Sequence, residues 1–199
     1  MKKRIFSILT ALCLCLTLLP TMAAAEKTAG TATEVKTSDE LVGALADPTI
    51  TTIKLMGEIW VNETETVKEL TIDRAITLVN SSRAPLHLHL PLTITKNGAL
   101  TLDGLEGVVS LNPYKGMVVN GSLTVGAGCE VIFGGDQPFL TINQGGTVTT
   151  QPAGKNTISG LLSLGKNAAL TVDGTLVNNG RLSVSNMENL KRRRASAAT

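Results

Sequence analysis

The chain has 199 residues, a formal net charge of +2 at pH 7 and only 3% aromatic residues. That length suits one domain with a continuous core, while so little charge and so few rings argue against an electrostatic nucleic-acid groove or a base-stacking platform. A core of Leu, Ile and Val in a chain rich in Thr, Gly and Asn points to strands broken by tight turns.

The N-terminal stretch reads as a secretory signal: basic Lys2, Lys3 and Arg4, an apolar run from Ile5 to Leu19, then Pro20 and the small residues Ala23, Ala24 and Ala25. Residues 1–25 are therefore expected to leave by cleavage after Ala25, with Ala23 and Ala25 as the recognised small residues. The apolar run is about 15 residues, short of the roughly 20 a membrane-spanning helix needs. Leu12 and Leu14 precede Cys13 and Cys15 where lipid attachment wants a small residue, so no membrane anchor is expected in the mature form. Export then leaves Cys129 alone and without a disulfide partner.

Residues 26–34 read as a polar linker, and a β domain is expected over 35–186. It opens on a capping helix over 38–46: Thr37 is placed to cap it, Glu40 to close a capping box, and Leu41, Val42, Leu45 and Ala46 form an apolar stripe that Pro48 ends.

From Ile53 onward short words recur. LTI starts at Leu70, Leu92 and Leu140, MVV at Met117 and LSL at Leu162, in steps of about 22 residues. A further set has LTL at Leu100, LTV at Leu123, VTT at Val148, LTV at Leu170 and LSV at Leu182. Asn97, Asn120, Asn143 and Asn167 step by about 23 to 24 residues and predict an asparagine ladder, each amide bonding to the next coil. The fixed period favours a β-solenoid of about six coils over a meander of hairpins.

The segments TSDELVGALADPTITTIKLMGEIWV, Thr37 to Val61, and LTIDRAITLVN, Leu70 to Asn80, resemble the pectate-lyase-like right-handed parallel β-helix superfamily, as found in secreted and surface proteins of Gram-positive bacteria. The resemblance implies an all-β parallel β-helix closed by an N-terminal helix, and it rests on motifs of architecture rather than of activity.

The family's lyases hold calcium on clustered Asp residues and abstract a proton with Arg or Lys. Asp73, Asp103, Asp136 and Asp173 are the candidates here, but Gly126 and Gln151 fill the register between Asp103 and Asp173, so no carboxylates stack. Asp103 and Asp173 precede Gly and read as turn residues, and Arg74 and Arg83 read as solvated. Glu58, Glu63, Glu65 and Glu69 crowd a wet loop. His87 and His89 alternate with Leu86, Leu88 and Leu90 and read as a solvent-facing pair lacking a third metal ligand. Trp60 and Tyr114 offer rings for a sugar, but Trp60 is placed under the cap as packing. No catalytic residue, metal ligand or cofactor is assigned.

The tail over 187–199 is polar, with a basic run from Lys191 to Arg194 that reads as a solvated terminus. It is too short and polar to close a solenoid, which leaves the last coil open to end-to-end association. The expected protein is a secreted or cell-surface β-helix module with a structural, adhesive or glycan-binding role. Its partners would be cell-wall or host glycans rather than nucleic acid. The alternatives are a polysaccharide lyase or hydrolase of the same superfamily, and a truncated fragment of a larger surface protein.

Overall fold

A computed structural model describes residues 30–104, 109–134 and 139–184. The signal segment with Ala23 and Ala25, residues 26–29 of the expected linker, Asp136 and the basic tail lie outside the described residues.

Alternating apolar and Thr residues turn every second side chain inward, and repeating that alternation at a fixed period stacks like on like. Over the described residues the result is a β-solenoid of six three-stranded coils. The first coil holds β2 (Ile50–Leu55), β3 (Ile59–Asn62) and β4 (Leu70–Ile72); the second β5 (Ala75–Asn80), β6 (Leu86–His89) and β7 (Leu92–Ile94). The third holds β8 (Ala99–Asp103), β9 (Ser110–Pro113) and β10 (Met117–Val119); the fourth β11 (Ser122–Val125), β12 (Glu130–Phe133) and β13 (Phe139–Ile142). The fifth holds β14 (Thr147–Thr150), β15 (Lys155–Ile158) and β16 (Leu161–Leu164); the sixth β17 (Ala169–Val172), β18 (Thr175–Asn178) and β19 (Arg181–Val184).

Each strand pairs in parallel with its counterpart one coil away, giving three lateral sheets: A from β2, β5, β8, β11, β14 and β17, B from β3 to β18, and C from β4 to β19. The solenoid is thereby laced by backbone hydrogen bonds, and Cys129 stays a free, buried thiol whose pKa burial pushes up. Inward columns such as Ile53, Leu78, Leu102 and Val125 fill the axis with apolar side chains.

Two details differ from expectation. Residues 31–34, expected as linker, belong to a strand β1 (Thr31–Val35) that pairs with β2 and so covers the first edge of sheet A; a bare strand edge needs a partner, and TATEV has the β-branched residues to supply one. Leu182 pairs with Leu162 in sheet C, so LSV repeats LSL and not the LTV words of sheet A.

Helix α1 (Ser38–Ala46) closes the N-terminal end. Thr37 Oγ1 accepts from Glu40 N at 3.2 Å while Glu40 Oε2 accepts from Thr37 N at 3.2 Å, a reciprocal cap, and Leu41 and Ala44 are buried beneath it. The far end of α1 is held by Arg74, which is not a solvated residue. Its Nη1 donates to Leu45 O at 2.8 Å, its Nη2 to Ala44 O at 3.1 Å and Asp47 O at 2.5 Å, and its Nε to Ile50 O at 3.2 Å. The last turn of α1 has no basic residue of its own. A cation from the β4–β5 bend thus satisfies carbonyls that a helix C-terminus leaves unpaired.

Candidate functional site

Among the described residues, sheet B carries the one place where aromatic and titratable side chains converge outside the core. In IWVN, LHLH and SLNPY the apolar residue points inward, which sends Trp60, His87, His89, Asn112 and Tyr114 outward on three successive coils. Trp60 pairs in register with His87, and His87 with Asn112. Tyr114 N donates to Leu88 O at 2.9 Å, which continues that register one residue past β9.

The rings stack. Trp60 lies 3.8 Å from His87 at 15° between planes, and Tyr114 lies 4.5 Å from His89 at 25°. Glu58 ties the stack together: its Oε1 accepts from Trp60 Nε1 at 3.0 Å and meets His87 Nε2 at 3.1 Å. On the other side of the imidazole, Nδ1 is 3.2 Å from Tyr114 Oη and 3.3 Å from Asn112 Nδ2. A carboxylate only accepts, so Nε2 carries a proton toward Glu58, and Nδ1 faces the phenol and the amide.

Two readings of the sequence are corrected here. His87 is not solvent-facing but buried, because Trp60, Tyr114 and Glu58 cover it. Trp60 is not packed under the cap; it stands on the outside of sheet B, 47% exposed. β3 is the terminal strand of sheet B, so no neighbouring strand of that sheet screens the ring on the side away from His87. The loop after β3 adds exposed Glu63, Glu65 and Glu69, with Lys68 bonded to Glu63 at 3.1 Å.

A family model described as "Putative pectate lyase-like adhesive domain" matches residues 32–196. The chain belongs to that family. No curated protein and no solved structure matches the chain. Its family is described as adhesive rather than catalytic, which makes this pectate lyase-like adhesive domain an adhesive or structural β-helix module.

In this adhesive domain the asparagine ladder is shorter than expected. Asn120 and Asn143 stack, with Asn143 Nδ2 donating to Asn120 Oδ1 at 2.8 Å. Asn97 and Asn167 are not rungs. Thr95 and Gly165 hold the equivalent positions, as the bonds from Thr95 N to Ile72 O and from Gly165 N to Ile142 O show. The C-to-A bends of the second, fourth and fifth coils are two residues longer than that of the third, and Asn97, Gly145 and Asn167 occupy their tips. Asn167 and Gly145 take left-handed φ of +57° and +79° there, a conformation those two residue types accept.

Among the described residues, the Asp candidates do not gather. The register places Gly126 and Gln151 between Asp103 and Asp173, and no group of three or more His, Cys, Asp or Glu comes within metal reach among the described residues. Asp73 bonds to Arg74 beside the helix.

Proposed function

We propose that this module works outside the cell as a non-catalytic adhesin that binds glycan through the Trp60 and Tyr114 ring stack. The observation that carries the reading is a half-exposed tryptophan held rigid from behind. An exposed indole is ordinarily a loss to hydration, and here its orientation is fixed by a stacked imidazole and a carboxylate on its N–H. Fixing a flat apolar face beforehand lowers the entropy cost of binding, the usual requirement of a weak, repeated surface contact. The signal-like N-terminus supports delivery to the exterior.

The test is a glycan array together with a polyuronate-cleavage assay, calcium present and absent, on the wild type and Trp60→Ala. Binding without turnover that falls at least about tenfold in Trp60→Ala supports the reading. Cleavage of the polyuronate would replace it with the lyase alternative, and equal binding by Trp60→Ala would move the contact elsewhere.

A further inference from the structure

Resting on that glycan reading, we infer that the ring stack takes pyranoses that are uncharged or carry an amine, and rejects uronates. The groups around the open indole decide this. Glu58 lies two residues before Trp60, immediately ahead of β3, and both of its bonds fall on Oε1. Its second oxygen, on a half-exposed side chain, is left to accept from a sugar hydroxyl or ammonium placed over the ring.

The charge bonded to that ring is negative, that of Glu58, while an exposed cation, Arg83, stands in the loop before β6, two residues ahead of Pro85, whose carbonyl accepts from Ile59 N. Glu58 is joined by Glu63, Glu65 and Glu69 in the loop that leaves β3, and the loop's single cation, Lys68, is bonded to Glu63. Lys115 stands next to Tyr114, at the opposite end of the stack from the open indole. Arg74 is tied to the backbone carbonyls of the helix end. A uronate stacked on Trp60 therefore brings its carboxylate against fixed like charge, which costs affinity, while the weakly positive C–H face of a neutral sugar suits the negative face of the indole. An ammonium gains twice, from the carboxylates and from the π face.

Trp60 is the only tryptophan of the chain, so its emission reports occupancy of this site and no other. The experiment titrates the full chain with cellotetraose, fully deacetylated chitotetraose and tetragalacturonate at low salt, following that emission. The neutral and amino tetramers are expected to shift it with affinities at least about tenfold above the galacturonate, a gap that shrinks as salt is raised. Glu58→Gln retains an oxygen acceptor for Trp60 Nε1, and it is expected to narrow the gap by roughly threefold or more while the emission of the free protein shows the ring still held.

Equal or tighter galacturonate binding by the wild type would overturn the inference and leave glycan binding standing. An unchanged gap in Glu58→Gln would also overturn it, since the carboxylate would then not be the selector. No response to any tetramer, with no retention on the array, would overturn the underlying reading itself.

Discussion

The first coils and the last are built from the same words yet are finished differently. One column of sheet C shows it: Leu70, Leu92, Met117, Leu140 and Leu162 are all at most 5% exposed, whereas Leu182 in the same column is 57% exposed. At the N-terminal end α1 covers the axis and Arg74 locks it down. In the sixth coil Val172 and Leu182 are exposed, and in the fifth the axis admits a polar pair, Asn156 and Thr150. In a solenoid each coil stabilises only its neighbours, so an apolar word is worth what stacks on both sides of it. The ring stack sits in the first three coils, where that support is fullest.

The largest effect should come from emptying the cap. Leu41→Ala removes a side chain that is 1% exposed and leaves a cavity over the axis, at an expected cost of about 3 kcal/mol. Leu182→Ala makes the same chemical deletion at the exposed end and should stay within about 0.5 kcal/mol. Urea unfolding of the two variants measures both, and equal losses would erase the contrast between the ends.

Next comes the clamp. Arg74→Ala strips charge-assisted bonds from carbonyls at the end of α1 and should cost about 2 to 3 kcal/mol, because those carbonyls are then partly buried without partners. Arg74→Lys should recover less than half, since one ammonium cannot fork across Ala44, Leu45 and Ile50. Full rescue by lysine would mean that charge alone holds the helix.

Much of this was legible in the sequence and some was not, for a physical reason. Sheets A and C repeat near-identical words, and TSDE carries the chemistry of its own cap, so coil number and helix could be read directly. The strands of sheet B, IWVN, LHLH, SLNP, EVIF, KNTI and TLVN, share only an alternation, so no word marks them as one column. The proposed binding surface lies on that sheet. Trp60, His87 and Tyr114 meet because loops of unequal length return three strands to one register, and spacing along the chain does not encode that return. Alternation did place both histidines outward, but burial by neighbours from other coils is invisible to it. The same limit applies to Arg74, whose carbonyl partners lie 24 to 30 residues away, and to the ladder, where Asn-Gly words marked bends of two different lengths.

A smaller effect bears on the join between cap and first coil. Asp47 accepts from the hydroxyl of Thr49 at 2.7 Å and from its N–H at 2.9 Å, and these bonds hold its carboxyl below the usual carboxylate range. A depressed folded pKa gives stability that is present above the unfolded value and lost as pH falls through the folded one. Asp47→Asn should therefore weaken the protein slightly at neutral pH, and the difference from wild type should vanish in acid. Midpoints of urea unfolding at neutral and acid pH measure the difference. A gap that persists in acid would assign the effect to shape instead of charge.

The smallest net change is expected where the solenoid breaks its own rule. Asn156 and Thr150 are both fully buried and bonded to each other, in columns that hold Val131 and Val125 one coil earlier. Asn156 Oδ1 is buried without a partner in the described residues. Thr150→Val alone strands the amide and should cost about 1 to 3 kcal/mol, whereas Thr150→Val with Asn156→Val removes both polar groups and should land within about 1 kcal/mol of wild type, on the stable side. The double-mutant cycle separates two uses of the pair. If the double variant matches or exceeds wild type and keeps the same denaturant slope, the pair is a local imperfection of the fifth coil. A gain in midpoint with a shallower slope would instead show that the polar pair fixes the register of coils that have little else to fix it, which is the device expected at the end of a solenoid where apolar words alone permit slippage.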